Sequence, residues 1–274
     1  CVPCGLGAAA CRCVCRPDLL TTPCGMSSDL RAGPCSASTP AMDAAPLWTR
    51  LSERPVAWHA EQCVPDALTE RLLALSNATS PALPRKYSGV ARIHSIAEQG
   101  DPAAVAVRKL VSRRTGLPLV NFEPLFVLEY AAGHVCNIGQ AMPHHDWNCP
   151  REEALAGMDG PVDPNDEDTR DGVPGCPQLR LVTSLVYLNS VPAGWGGGTA
   201  LSRAGLHVDA RRGACFLWFN ARRGEGGLVS REARAQHQGE CVRAPGNASA
   251  AERRADVRKF VLVQWVRASA HEGL

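Results

Sequence analysis

Two hydrophobic rhythms divide this chain. The run Val64–Leu75 has apolar positions at helical spacing, with acidic residues near its start, where a helix favours them. A second helix is predicted over residues 102–116. There Ala103, Val105, Val107, Leu110 and Val111 form an apolar face, and Lys109, Arg113 and Arg114 suit the solvent face and the C-terminal end. Gly116 and Pro118 then stop it. Val56-Ala57-Trp58 and Pro124–Tyr130 read as strands flanking the helical region. From residue 179 the pattern is that of strands throughout. Leu179–Asn189 is rich in β-formers, a glycine-rich turn follows at Gly194–Gly198, and Leu206-His207-Val208, Ala214–Phe219 and Lys259–Val266 come after it. Short strands with glycine turns predict a β-sandwich or jelly roll, with the preceding helices laid on one sheet. The expected fold class is therefore α+β, mainly β, over residues 46–270.

Two stretches interrupt this pattern. Residues 1–45 lack sustained periodicity and read as a disordered leader, with Met42 as an alternative start. Residues 148–178 interleave Asp159, Asp163, Asp166, Glu167, Asp168 and Asp171 with glycine and proline. They read as a loop, either an acidic lid that contacts substrate or a solvated insertion.

Charge and cysteine usage narrow the function classes. A net charge of +2 offers no electrostatic footprint for nucleic acid. No apolar run reaches the roughly 20 residues needed to span a bilayer. Seven of the 13 cysteines fall within residues 1–35, but they lack a matching downstream ligand pair at zinc-finger spacing. In the body, Cys215 sits in an apolar strand and is expected as a buried free thiol. Cys149 and Cys176 bracket the acidic loop and could close it as a disulfide. Asn77-Ala78-Thr79 and Asn247-Ala248-Ser249 are glycosylation sequons.

The candidate chemistry begins at Met142–Trp147, which contains His144-x-Asp146. In an extended strand residues i and i+2 share a face. His144 and Asp146 thus aim at one point while His145 faces away. A histidine and a carboxylate are two of the three ligands of a facial triad for Fe(II). From the residues alone the second histidine is open among His207, His237 and His271.

A set of motifs in order then resembles the catalytic domain of the prolyl 4-hydroxylases, Fe(II)- and 2-oxoglutarate-dependent dioxygenases. The motifs are His144-x-Asp146, Arg180-x-x-Thr183-x-Leu185-x-Tyr187-Leu188-Asn189, Gly196-Gly197-x-Thr199, Gly205-Leu206-x-Val208, Gly213-Ala214 and Phe219-Asn220. His237-x-Gly239-x-Cys241-Val242 and Lys259, with Trp265 six residues on, complete the series. The resemblance implies a double-stranded β-helix and assigns His144, Asp146 and His237 to iron. It assigns Lys259, Tyr130 and Thr199 to 2-oxoglutarate and Arg180 to the neighbourhood of the peptide substrate. It implies hydroxylation of peptidyl proline with O2, giving succinate and CO2, with ascorbate as a further cofactor and the endoplasmic reticulum or secretory pathway as the location. Trp265 is expected to pack the core beneath Lys259. Residues 243–257 read as an inserted polar loop. Other readings from the same residues are a 2-oxoglutarate oxygenase with another substrate, a non-catalytic peptide-binding jelly roll, and a zinc hydrolase.

Overall fold

In a computed structural model of the chain, which describes residues 45–78, 91–96, 99–132, 143–146, 179–223, 229–253 and 255–268, the apolar runs resolve into named elements. The first strands are β1 (Thr49–Glu53), β2 (Val56–Ala60), β3 (Ala91–Ser95) and β4 (Phe126–Ala131). Then come β5 (Arg180–Tyr187), β6 (Thr199–Leu201), β7 (Leu206–Val208) and β8 (Cys215–Phe219). The last are β9 (Ala221–Arg223), β10 (Val229–Arg231), β11 (Gln238–Gly239) and β12 (Arg258–Arg267). The helices are α1 (Asp66–Ala78), α2 (Pro102–Thr115) and the single turn α3 (Ala250–Arg253). All described residues belong to one unit, Thr39–Leu274. The leader 1–45 (Ala45 apart), the acidic loop 148–178 with its expected Cys149–Cys176 bridge, and His271 lie outside the described residues.

The large sheet has seven strands in the order β1-β2-β8-β5-β12-β4-β3, and neighbouring strands pair antiparallel. A smaller sheet runs β11-β6-β7, and β9 and β10 form a separate ribbon. Isolated bridges His144↔His237 and Gly196↔Val242 extend the smaller sheet. The fold is mainly β with antiparallel sheets, as the sequence pattern predicts.

Strand β12 lies between β4 and β5, and both its faces are buried. That explains its continuous apolar run, since alternation is lost when neither face meets water. Lys259, Val261, Val263 and Trp265 share one face and line a pocket. Leu262 on the other face joins Val127, Val186 and Cys215 in a core that also takes Leu68 and Leu72 from α1 and Ala103, Val107 and Leu110 from α2. The two helices thus cover one face of the large sheet and leave the other for the pocket. Asp101 caps α2 by accepting from the Ala103 amide at 2.8 Å. The same carboxylate accepts from Arg71 of α1 at 2.7 Å, which ties the helices together.

Two expectations are corrected. Cys215 is buried but not free: it is disulfide-bonded to Cys63, 152 positions earlier, with Cα atoms 5.6 Å apart. The amides of Cys63 and Val64 both donate to the Gly213 carbonyl, at 2.8 and 3.0 Å, which brings the residues before α1 against the turn leading into β8. A Cβ on Gly213 would lie 2.6 Å from the Val64 carbonyl oxygen, so this approach requires glycine. Residues 243–257 are not wholly loop, because they hold α3. Its start is a reciprocal cap in which the Ser249 amide donates to Glu252 and the Glu252 amide to Ser249 Oγ, at 2.7 and 3.2 Å.

Candidate active site

His144 and His237 face each other across an antiparallel bridge, each amide donating to the other's carbonyl at 2.9 Å. Their rings stand 4.3 Å apart, centroid to centroid. Asp146, two residues along, turns to the same side as the strand phase requires. His237 Nε2 lies 3.3 Å from Asp146 Oδ2, and His144 Nε2 lies 3.9 Å from Asp146 Oδ1. One ligand atom from each of the three residues falls within 4.8 Å of the others. Donors on adjacent corners around an ion at about 2.1 Å stand about 3 Å apart, so the cluster fits one metal ion after small side-chain movements. His237 Nδ1 donates to the Ala235 carbonyl at 3.0 Å. A carbonyl only accepts, so Nδ1 carries a proton, and Nε2, which faces Asp146, is the nitrogen whose lone pair a metal would take in place of a proton.

A network of donors fixes Asp146. Thr183 Oγ1 and Trp265 Nε1 both donate to Asp146 Oδ2, at 2.7 and 2.8 Å. Asn220 Nδ2 donates to Thr183 Oγ1 at 2.8 Å, and Trp218 Nε1 donates to Asn220 Oδ1 at 2.9 Å. The Trp218 ring also lies 4.7 Å from that of His237. Burial works against charge on Asp146, but the charge and hydrogen bond of His237 and the charges of His144 and Arg180 outweigh it. The carboxyl is held well below its usual range, ready to act as an anionic ligand.

At the other end of the same pocket lies Lys259, 1% exposed. Its ammonium donates to the Gly198 carbonyl at 3.3 Å and sits 4.1 Å from the Tyr130 ring centre. Burial pushes the Lys259 ammonium down to about 7, with the Glu240 charge acting in the opposite direction. Burial likewise pushes the Tyr130 phenol up, so it remains a donor at neutral pH. Thr199 Oγ1 accepts from the Tyr187 hydroxyl at 2.8 Å, which leaves its own O–H to donate elsewhere. Gly239 closes this end, for a Cβ there would stand 2.9 Å from the Tyr130 hydroxyl.

All seven site residues singled out from the sequence lie among the described residues, and the pocket lining contains six of them. Arg180 is placed beside it. Its Nε and Nη2 both donate to Glu123 at 2.8 Å, and its guanidinium lies 3.5 Å from the Trp265 ring centre. Arg267 also donates to Glu123, at 2.8 Å. The two arginines hold the Glu123 carboxyl below its usual range although burial opposes this. His145 is not in the metal-ligand cluster. His207 pairs with Glu240 at 2.9 Å and is not in that cluster.

Trp265 packs in the core as expected, and it also does more. Its indole N–H holds a candidate ligand. The available sign was phase: Trp265 alternates onto the Lys259 face and lies opposite Thr183 in the β12–β5 register. Glu123, Asn220 and Trp218 were not singled out as site residues, and each acts through a partner distant in sequence or two steps removed from the cluster.

No protein-family model matches the chain, and no curated protein matches it in sequence. In three dimensions the chain is similar in fold to a viral collagen prolyl hydroxylase, in agreement with the resemblance in the motifs. A viral collagen prolyl hydroxylase of Paramecium Bursaria Chlorella virus-1, in its 2OG complex, aligns at 17% identity over 77% of this chain and 95% of that one, with a TM-score of 0.51. A truncated form of the same enzyme aligns at 16% identity over 77% and 89%, with a TM-score of 0.52. A Pseudomonas putida prolyl-4-hydroxylase aligns at 14% identity over 77% and 91%, with a TM-score of 0.39.

Proposed function

We propose that this protein is an Fe(II)- and 2-oxoglutarate-dependent dioxygenase that hydroxylates proline in a peptide or protein substrate. In this reading its two sheets form a double-stranded β-helix over residues 46–270. The observation that carries the proposal is one pocket with a His-Asp-His cluster at one end and a buried, carboxylate-seeking lysine at the other. A buried ammonium that donates to a backbone carbonyl favours an anionic partner, since charge transferred from water is costly until paired. A zinc hydrolase has no use for such a cation.

His144, Asp146 and His237 would hold the iron. Bound there, iron supplies O2 activation coupled to decarboxylation of 2-oxoglutarate to succinate. Lys259 would pair with the distal carboxylate of 2-oxoglutarate, while Tyr130 and Thr199 donate hydrogen bonds to it. Thr183 and Trp265 hold the Asp146 ligand in orientation. The apolar walls Leu128, Leu185, Val261 and Val263 keep the space between the two ends poor in water. Arg180 borders the substrate side, with its planar face on Trp265.

One observation favours a second reading, an oxygenase of the same type with another substrate. The Arg180 fork is already occupied by Glu123, which limits what it can offer a peptide. A single assay separates the two. Purified protein is given Fe(II), ascorbate, 2-oxoglutarate and a proline-rich peptide, and succinate and oxygen incorporation into the peptide are followed. Succinate without peptide oxidation selects the second reading, and neither product rejects both. His237→Ala is expected to abolish Co(II) binding, read by visible absorption, while His207→Ala retains it. The opposite pattern would refute the ligand assignment.

A location in the secretory pathway belongs to the same proposal. The buried Cys63–Cys215 disulfide, the further disulfide at Cys241 and the exposed sequon residue Asn247 support it.

A further inference from the structure

Gly198 separates two spaces. On the inner side, its carbonyl accepts from the Lys259 ammonium at 3.3 Å. The same carbonyl accepts from the Glu240 amide at 2.9 Å, so Lys259 and the Glu240 backbone meet on one oxygen. On the outer side, a Cβ on Gly198 would stand 2.5 Å from His207 Nε2 and 3.0 Å from Glu240 Oε2. The space a side chain would occupy at 198 is therefore filled by the His207–Glu240 pair, whose own contact is 2.9 Å. The pair lines an outer groove with Gly196 and Asp209, directly behind the lysine's anchor.

The groups surrounding Lys259 indicate which one matters. Tyr130 faces it from β4, Thr199 from β6, and Gly239 from β11. Tyr187 of β5 reaches the same end through its bond to Thr199. Burial pushes both phenols up, so neither carries charge at neutral pH. Arg258, next to Lys259 on β12, is turned to Asp256 and Glu129. Asp146 and His237 belong to the metal end, and Asp209 stands beyond His207 with its side chain 63% exposed. Glu240, with its side chain 29% exposed, sets its carboxylate against the anchor residue, Oε2 lying 3.0 Å from where a Cβ on Gly198 would stand.

We infer that Glu240 is a positioning residue for the anion-binding end of the pocket: set into the gap at Gly198 and held by His207, its carboxylate favours the ammonium form of Lys259 that a dicarboxylate selects. Burial alone would strip the ammonium of its proton. A carboxylate behind one peptide unit opposes that loss, yet it lies outside the pocket and does not fill the ligand's place. The inference rests on the proposed assignment of Lys259 to 2-oxoglutarate for its purpose, but not for its measurement.

The chain has three lysines, Lys86, Lys109 and Lys259. The Lys259 side chain can therefore be titrated by NMR in lysine-labelled full-length protein, with assignment from Lys86→Arg and Lys109→Arg. Glu240→Gln keeps the shape and a hydrogen bond to His207 but removes the charge. It is expected to lower the Lys259 midpoint by about one pH unit. Correspondingly, 2-oxoglutarate affinity above that midpoint should fall about tenfold. His207→Ala, which frees Glu240 to turn to solvent, should shift the midpoint the same way by less. Asp209→Asn, which removes equal charge from the same outer face, should leave it in place. Equal midpoints in wild type and Glu240→Gln, or equal shifts in Glu240→Gln and Asp209→Asn, would overturn the inference. If Glu240→Gln shifts the midpoint but wild-type protein binds no 2-oxoglutarate, the inference about Lys259 stands and the proposed function fails.

Discussion

Lys259 shows how one buried residue connects stability, ligand and pH. Its folded pKa is lowered from the ordinary 10.5 to about 7, mainly by burial. Below about 7 the lysine is protonated in both folded and unfolded chains, and the folded protein bears the full cost of the buried charge. Between about 7 and 10.5 the unfolded chain binds more protons, so the ligand-free protein gains stability as pH rises through that window. A dicarboxylate selects the protonated form, so its affinity has the opposite slope. We expect 2-oxoglutarate affinity to be level below about pH 7 and to decline above it, with proton uptake on binding. Calorimetry in buffers of different ionisation enthalpy measures this uptake, and an affinity independent of pH would contradict it. At this scale the sequence was most legible where local phase decides. His144 and Asp146 lie two apart on one extended segment, and their convergence follows from strand geometry. The core position of Trp265 was legible, but its bond to Asp146 was not, because that partner is 119 positions away.

Among the elements, β5 and β12 do most to build the site. Their register places Trp265 opposite Thr183, and both side chains donate to the same oxygen of Asp146. Groups that orient a metal ligand typically contribute 10–100-fold in metal affinity. Trp265→Phe keeps the ring and removes the N–H, so Co(II) should bind at least about tenfold more weakly while the far-ultraviolet circular dichroism stays native. Unchanged Co(II) affinity in a folded variant would show that the bond is incidental. The long buried strands and both long helices were readable because their apolar periodicity is sustained. Strands β1, β3, β6, β9, β10 and β11 were not read as strands. Thr49–Glu53 is largely polar, and β6 and β11 have three and two residues. Such segments become strands only when a neighbouring backbone offers partners. By contrast, α3 carried a local sign, Ser249-x-x-Glu252, that polar composition obscured.

For the whole molecule, the Cys63–Cys215 disulfide joins the segment leading into α1 to strand β8, and so links the helical layer to the large sheet across 152 positions. Closing so long a loop restricts the unfolded chain more than the folded one. Replacing both cysteines with alanine is expected to cost roughly 2–5 kcal/mol of stability. Urea unfolding of the oxidised wild type and the double variant measures this as a lower midpoint, with a steeper slope because the uncrosslinked unfolded chain exposes more surface. Coincident curves would mean that the bond adds nothing to the fold.

The sequence by itself determined the local facts: two helices, the long strands, the shared face of His144 and Asp146, and a lysine on a strand too apolar to expose it. Each depends on backbone periodicity, which acts over a few residues. The family resemblance added His237 and the roles, through the order of motifs rather than physics. Tertiary structure alone decided that His237 stands across a bridge from His144, that Cys215 meets Cys63, and that Trp265 holds Asp146. It also decided that Glu240 lies behind Lys259 in the space left by Gly198. These outcomes depend on sheet order and register, which bring distant segments within hydrogen-bonding reach and are set by burial of the whole core.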